Sequence, residues 1–336
     1  MQNQKEQITM RDIAKRAHVS VATVSRVINN DPSVKESTRK IVENVLQEVN
    51  YKINPTRAGK LKYNQRIGLV IPEITNPYFS LLIRGISNAA RIQNLEIILC
   101  NSDKDPHAED EHLKRLLKNN ISGIIYIPFT EQVNPLILDL IKKKFPLVFL
   151  DRDINRNDIC SVTSDNEEGA YQAITYLLNL GHRNIVYIEG PPYYSTTINR
   201  TAGYRRGLEE AGLNYDESMV LRSDTTFENA YKEMIYFLNH SFSFSAIFAS
   251  NDLMAIGAWK AVEEKGMQVP EDVSIIGYDD VFISSIMSLT TIAQPGYEAG
   301  RNALMLLFDL ITEKREPPQK ILLRDSLIIR KSCKRV

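Results

Sequence analysis

Apolar residues recur in two rhythms along this chain, one in the first fifty residues and another after them. The first rhythm is helical. Thr9-Met10-Arg11-Asp12 has the form of a capping box, with an acid in the first turn, and Ile13, Ala14 and Ala17 follow at helical spacing. A second start at Ser20 leads to Thr23 and to Val24, Val27 and Ile28 on one face. Only His18 and Val19 separate Ala17 from Ser20, a connection that fits a helix-turn-helix corner. A third amphipathic segment, Ser37 to Val49, offers Ile41, Val45, Leu46 and Val49 to close a small core over the first two helices.

From Arg66 onward, short β-rich runs alternate with helical ones. Strands are expected at 67–71, 96–100, 123–127, 147–150, 185–188, 246–249 and 273–277, and helices at 77–93, 108–119, 134–143, 167–180, 201–211, 228–239 and 253–265. Such alternation predicts doubly wound parallel sheets, and a stretch of about 270 residues suffices for two subdomains. Ligands of open α/β sheets bind beyond the carboxyl ends of the strands. The residues just after each strand therefore bear on function. Asn76-Pro77-Tyr78-Phe79 come after the first strand, Asn101-Ser102-Asp103 after the second and Asp151-Arg152-Asp153 after the fourth. Asn251-Asp252 and Tyr278-Asp279-Asp280 succeed two later strands, with Arg200 nearby. Aromatic faces, carboxylates, amides and a guanidinium together suit a polyol ring. Any single polar residue here is more often a helix cap than a ligand contact.

Composition narrows the class. The hydrophobic share of 43% is that of an ordinary globular protein, and 336 residues point to two or three folding units. No apolar run approaches the ~18 residues of a membrane span. The opening MQNQKEQITMRD is polar and mixed in charge, so a cytoplasmic protein without an export signal is expected. Cys100, Cys160 and Cys333 lie far apart in no ligand pattern, which suits idle thiols and no metal. The net charge of zero hides an asymmetry: residues 1–65 hold 12 Lys and Arg against 6 Asp and Glu, whereas the rest holds 29 against 35. A head of +6 on a body of −6 suggests that one part meets a polyanion.

An enzyme is poorly supported. No GxGxxG follows the first strand, GxxxxGK[ST], GxSxG and HExxH are absent, and His107 and His112 sit on a charged helix start where they are better read as solvated. No cofactor is expected. A solute-binding protein, or a sugar-acting enzyme with the same two-lobed body, is the alternative, but neither accounts for the basic helical head.

The exposed face of the second helix supplies that account. Val21, Ala22, Ser25 and Arg26 cluster near its N-terminus, the end such a helix presents to base edges in the major groove. Arg26 can read guanine through O6 and N7, Val21 and Ala22 can touch a thymine methyl, and Ser20, Thr23 and Ser25 can hold phosphates. The run TMRDIAKRAHVSVATVSRVIN at 9–29, continuing to VNY at 49–51 and reaching RKSC at 330–333, resembles the lactose-repressor/galactose-repressor (LacI/GalR) family over nearly the whole chain. The resemblance implies an α/β protein with an N-terminal helix-turn-helix headpiece and a two-lobed doubly wound parallel-sheet body like that of periplasmic binding proteins. The corresponding segments are a headpiece at 1–53, a hinge at 54–65 and an effector-binding and dimerisation body at 66–336. Lobe 1 would comprise about 66–163 and 293–325, and lobe 2 about 164–292 and 326–336, with crossings near Thr163, Ile292 and Asp325.

By the same resemblance, residues 21, 22 and 26 read bases, while Thr9, Ser20, Thr23, Ser25, Asn29 and Thr38 position the DNA backbone. Two departures stand out. His18 occupies a turn position where relatives usually carry glycine, and the hinge leucine expected nine residues after Tyr51 is Lys60 here, with Leu61 one later. The segment from Asn54 through Arg57 to Lys62 remains the candidate hinge. Arg200, Asn251, Asp252 and Asp279 fall on effector-contact positions, with Asn76, Phe79 and Asp151 beside them. The implied protein is a cytoplasmic, homodimeric transcription regulator, expected to be a repressor. Its partners would be near-palindromic operator DNA and a small polar effector such as a sugar or sugar derivative. No leucine heptads follow the body, which favours a dimer over a tetramer.

Overall fold

The computed structural model describes residues 9–28, 34–49, 65–130, 132–240 and 243–336, and the chain divides into two units, Met1–Tyr63 and Asn64–Val336. The first unit contains α1 (Met10–Arg16), α2 (Val21–Ile28) and α3 (Glu36–Glu48). At the start of α1 the Asp12 carboxylate accepts from the backbone N–H of Thr9 at 2.9 Å and from its hydroxyl at 2.6 Å. His18 takes the left-handed φ of 51° that the short turn demands. Ser20 then caps α2 by accepting the N–H of Thr23 at 3.0 Å. Ile13, Ala14, Ala17, Val24 and Val27 close on Val42, Val45 and Leu46 of α3.

Ile41 does not join this core: it is 50% exposed, and Val42 is buried in its place. Residues 42, 45, 46 and 49 form an i, i+3, i+4, i+7 stripe, and position 41 lies one residue off it. The side chain of Ile28 and residues Asn29, Tyr51, Asn54, Arg57, Lys60 and Leu61 lie outside the described residues.

In the second unit, two six-stranded sheets are each built from two separate pieces of chain. Lobe 1 contains β1 (Arg66–Ile71), β2 (Glu96–Asn101), β3 (Gly123–Tyr126), β4 (Leu147–Leu150) and β5 (Cys160–Ser164), with α4 (Pro77–Ile92), α5 (Pro106–Lys118) and α6 (Pro135–Lys142) between them. The chain then forms the second sheet from β6 (Ile185–Glu189), β7 (Val220–Arg222), β8 (Ala246–Ala249), β9 (Ser274–Asp279) and β10 (Thr290–Ala293). Its helices are α7 (Asn166–Asn179), α8 (Ser195–Glu210), α9 (Phe227–Leu238), α10 (Asp252–Glu264) and the short α11 (Phe282–Ile286). Afterwards α12 (Gly296–Ile311) packs on α4, β11 (Gln319–Leu323) pairs with β5, and β12 (Ser326–Ile328) pairs antiparallel with β10. The strand orders are β11-β5-β4-β3-β1-β2 and β12-β10-β9-β8-β6-β7. Every other pairing is parallel, and strands such as β1 are buried along nearly their whole length because helices cover both faces.

All seven expected strands are present. Five more, β5, β7, β10, β11 and β12, escaped the apolar-run criterion because they are short or rich in Ser, Thr and Lys. In β10 the buried threonines are tolerated because they are hydrogen-bonded: Thr291 donates to Asp252 at 2.6 Å, and Thr290 accepts the N–H of Arg330 at 3.0 Å. Helix α8 begins at Ser195, six residues before the expected start, through a stretch of polar and β-branched residues with weak helical preference.

Lobe 1 is joined across its pieces where α4 crosses α12 at Gly85 and Gly300. A Cβ on Gly85 would clash with the Tyr297 carbonyl, and one on Gly300 with the Leu82 carbonyl. Because both obstacles are backbone, they cannot rotate away. Gly85→Ala is expected to destabilise the protein by roughly 1–3 kcal/mol, seen as a lower urea midpoint, whereas Ile92→Ala on the same helix, at a position 73% exposed, should leave the midpoint unchanged.

Candidate functional site

Two surfaces carry the sequence-identified residues, one on each unit. On α2, successive residues advance by about 100°, so Val21, Ala22, Ser25 and Arg26 face away from the buried Val24 and Val27. Val21 is 42% exposed, and Ser20, Ala22 and Arg26 are exposed, while Thr23, Ser25 and Thr38 are half-buried. The Ser20 and Thr23 hydroxyls lie 2.9 Å apart, and the Thr9 hydroxyl is spent on Asp12. Two of the expected backbone-positioning hydroxyls thus also terminate helices.

The second surface is a cleft at the carboxyl ends of the strands of both sheets. From lobe 1, Asn76 caps α4 by accepting the N–H of Tyr78 at 3.0 Å, which leaves its NH2 as a donor, and Phe79 presents a ring. Asp151 follows β4 with a left-handed φ of 67°. Its neighbour Arg152 stacks on the Tyr194 ring at 3.7 Å and donates to the Pro128 carbonyl at 3.1 Å.

From lobe 2, Arg200 donates from Nε to Asn166 at 2.7 Å and from Nη1 to the Ser250 carbonyl, lies 3.7 Å from Asp279, and stacks on Tyr278 at 3.7 Å. Asp279, at φ 112°, accepts from the Gln294 amide at 2.6 Å. Asn251 caps α10 through the N–H of Met254 at 2.7 Å and donates to the Thr225 carbonyl at 2.9 Å. The space enclosed is ≈ 30 Å³, enough for about two waters.

Asn76, Phe79, Asp151, Arg200, Asn251 and Asp279 therefore line one cavity. Asp252 does not. Both of its oxygens point into lobe 2, one accepting from the Val281 N–H at 2.9 Å and the other from the Thr291 hydroxyl at 2.6 Å, and the residue is fully buried. Its place in the polar pair after β8 suggested a contact, but the first residue of a helix can as readily face inward. Tyr194, Thr196, Thr197 and Gln294 line the cavity without having been singled out. The threonines were hidden by the late start assigned to α8, and nothing in the sequence marks Gln294.

Burial sets the protonation of the carboxylates. It pushes Asp279 well above the usual carboxylate range against the pull of Arg200, and it raises Asp151 against Arg152 and Arg200. Asp252 is lifted by burial to about 6, its hydrogen bonds resisting. Among the described residues no group of His, Cys, Asp and Glu is suited to hold a metal ion, and no helix is long and apolar enough to cross a membrane.

Residues 9–54 match the bacterial regulatory proteins of the lacI family, and residues 64–331 match the periplasmic binding proteins and sugar-binding domain of the LacI family. The HTH-type transcriptional regulator DegA of Bacillus subtilis (strain 168) is 33% identical over 329 residues, covering 96% of this chain and 97% of its own. A solved structure of the lac repressor dimer bound to operator and the anti-inducer ONPF matches with a TM-score of 0.79 at 28% identity, covering 98% of this chain and 100% of that one. The transcriptional regulator CelR in complex with cellobiose matches with a TM-score of 0.76 at 28% identity, covering 97% and 99%.

The raised Asp252 yields a pH test. A carboxyl that titrates at about 6 when folded, against an ordinary 3.8, binds its proton more tightly in the folded state, so the group favours folding progressively as pH falls below 6. In Asp252→Asn the amide can still accept from Val281 and can donate to Thr291, whose hydroxyl reverses its role. Between pH 7.5 and 4.5 the stability of wild type relative to this variant should rise by about 2 kcal/mol. Urea midpoints across that range measure it, and a difference that stays flat would show that Asp252 does not titrate there.

Proposed function

The chain belongs to the LacI family of bacterial regulatory proteins, and from that premise we propose that it is a cytoplasmic homodimeric repressor whose grip on a near-palindromic operator is set by a sugar or sugar derivative in the cleft. It is a DNA-binding transcription regulator and not an enzyme. The observation that carries the effector reading is the cavity between the lobes. Its walls combine hydroxyls, amides, two carboxylates, two guanidinium groups and three aromatic rings, which is what a polyol needs for in-plane hydrogen bonds and face stacking. The cellobiose complex of CelR and the operator complex of the lac repressor dimer support the same pair of ligands.

A sugar held between the lobes touches both at once, and so favours one spacing of the lobes over others. Such differential affinity is what a ligand needs to shift an equilibrium. Residues 54–65 connect the body to the head, and coupling through them should change operator affinity by about 5–150-fold. Arg26 serves as the principal base-reading side chain, helped by Val21 and Ala22, with Asp279 and Arg200 anchoring the effector.

Screening sugars and sugar phosphates for thermal stabilisation identifies the effector, since binding to the native state alone raises Tm. Operator affinity is then measured with and without it. Arg26→Ala should cost roughly 1–3 kcal/mol per half-site and relax preference mainly at one base pair. Asp279→Asn should abolish the effector's influence while sparing DNA binding. An effector response as full as that of wild type would remove Asp279 from the site.

The dimer reading draws on α11, where Phe282 is 80% and Ile286 65% exposed, apolar surface that water disfavours and a second copy would cover. Phe282→Glu should convert a dimer at micromolar concentration into a monomer in sedimentation, and an unchanged dimer would place the interface elsewhere.

A further inference from the structure

Lobe 1 has a second cavity at the end of its sheet opposite the cleft. Parallel strands share one direction, so the cleft lies at their carboxyl ends, and this cavity of ≈ 470 Å³ lies at the amino ends of β4, β5 and β11. Its floor belongs to the core of the lobe: Leu147 and Phe149 of β4 and Ile159 ahead of β5 are at most 6% exposed. Ile141 and Phe145 line it from α6 and the turn after it, Leu310 from α12, and Pro317 and Pro318 from the segment before β11. The volume falls within the range of small-molecule sites, about 300–1,000 Å³.

Two helix ends fix its shape. α6 closes on Lys144 (φ 53°), after which the Phe145 N–H bonds to the Leu140 carbonyl at 3.0 Å, and α12 closes on Glu313 (φ 57°), after which the Lys314 N–H bonds to the Asp309 carbonyl at 2.8 Å. Both are Schellman ends, whose last carbonyls are occupied by the chain that turns back over them. The side chains therefore decide what charge the mouth presents. Six charged residues line it, three of each sign, and all are exposed. Arg156 holds Asp158 with two bonds at 2.8 and 2.6 Å, Asp309 holds Arg315 at 3.2 Å, and Glu313 is also engaged within the protein. Lys142 and Lys144 form no ion pair among the described residues, and against Glu316 they leave the mouth cationic.

We propose that this cavity is a second ligand site, independent of the effector cleft, for an organic anion with an apolar body: an aryl-substituted short-chain carboxylate. The aryl group leaves water against the floor, where Phe145 and Phe149 offer aromatic edges and faces. The carboxylate stays at the mouth, where Lys142 and Lys144 meet it and water still reaches it. A sugar does not suit the site. No buried side chain of the lining carries a hydroxyl, amide or carboxylate, so the hydroxyls of a sugar would be stripped of water without replacement.

The site is tested on the full-length protein with a photoreactive aryl acid, trifluoromethyl-diazirinyl benzoate, whose attachment points are mapped by mass spectrometry. Label is expected on peptides covering 141–147 and 310–318, with excess phenylpropanoate suppressing it and sugars leaving it unchanged. Label confined to the cleft, or scattered over the surface and not suppressed, overturns the site. Calorimetry with phenylpropanoate and its amide then tests the charge. The acid should bind more tightly than the amide, and Lys142→Gln/Lys144→Gln should weaken the acid roughly fivefold, the worth of two exposed ion pairs, while leaving the amide unchanged. Acid and amide binding alike would overturn the selection of an anion. Leu310→Trp, which fills the space from α12, should remove both label and binding at an unchanged urea midpoint, and full labelling of that folded variant places the ligand elsewhere. Should Leu310→Trp fold poorly, the lysine pair, at exposed positions, still decides.

Discussion

A guanidinium taken out of water is destabilising unless each of its donors finds a partner, and the geometry of the cleft follows from satisfying Arg200. Its partners come from three elements: Asn166 at the start of α7, the Ser250 carbonyl after β8, and Tyr278 and Asp279 at the end of β9, all converging on a side chain carried by α8. From Asp279 the network reaches Gln294, at the point where the chain leaves the second sheet, and from Gln294 the hydroxyl of Tyr78 in lobe 1, 3.3 Å away. Tyr278, stacked beneath Arg200, donates to Asp325 at another crossing between the sheets. A ligand that exchanges hydrogen bonds with Arg200 or Asp279 thus acts on the joints of the lobes as well as on its own site.

The residues around the cavity hold second roles in the architecture. Asn76 and Asn251 terminate α4 and α10, and Asp151 and Asp279 sit at left-handed backbone positions. A site made of element ends gains precision from the rigid helices and strands behind it. Replacing such a residue also removes a cap or releases strain, so loss of binding in an alanine variant does not by itself identify a ligand contact. Amide-for-carboxylate exchanges, which preserve shape, separate the two roles better.

Legibility in the sequence tracked physical contrast. Buried parallel strands such as IGLVI and AIFA stand out because both faces are apolar, and the head stands out because its helices are short, capped and close together. β5 (CSVTS) and β10 (TTIA) were invisible for the opposite reason: their buried hydroxyls are paid for by partners distant in sequence, such as Asp252 for Thr291. The same partnership removed Asp252 from the cavity. Six of the seven proposed effector residues line the cavity, five because the segments that follow strands face the cleft as a class and Arg200 from within α8, whereas Gln294 depends on which way the chain turns after a strand that was itself missed. In α3, Ile41 and Val42 differ by one step of the helix, a difference that only the neighbouring helices resolve.

The three crossings also impose an order on synthesis. A chain emerging from its N-terminus can assemble β1 to β5 early, but the edge of that sheet stays open until residues 319–323 arrive, and α4 lacks its glycine-matched neighbour until 296–311 have been made. The second sheet likewise waits for residues 326–328 to cover β10. Neither lobe can therefore complete its sheet as an independent vectorial folding unit, unlike domains that finish one after another as they leave the ribosome. A nascent or truncated chain lacking the last few dozen residues presents two unfinished parallel sheets at once, with exposed edges able to recruit other strands. Quality control in the cell would treat it as an aggregation hazard, not as a shortened regulator.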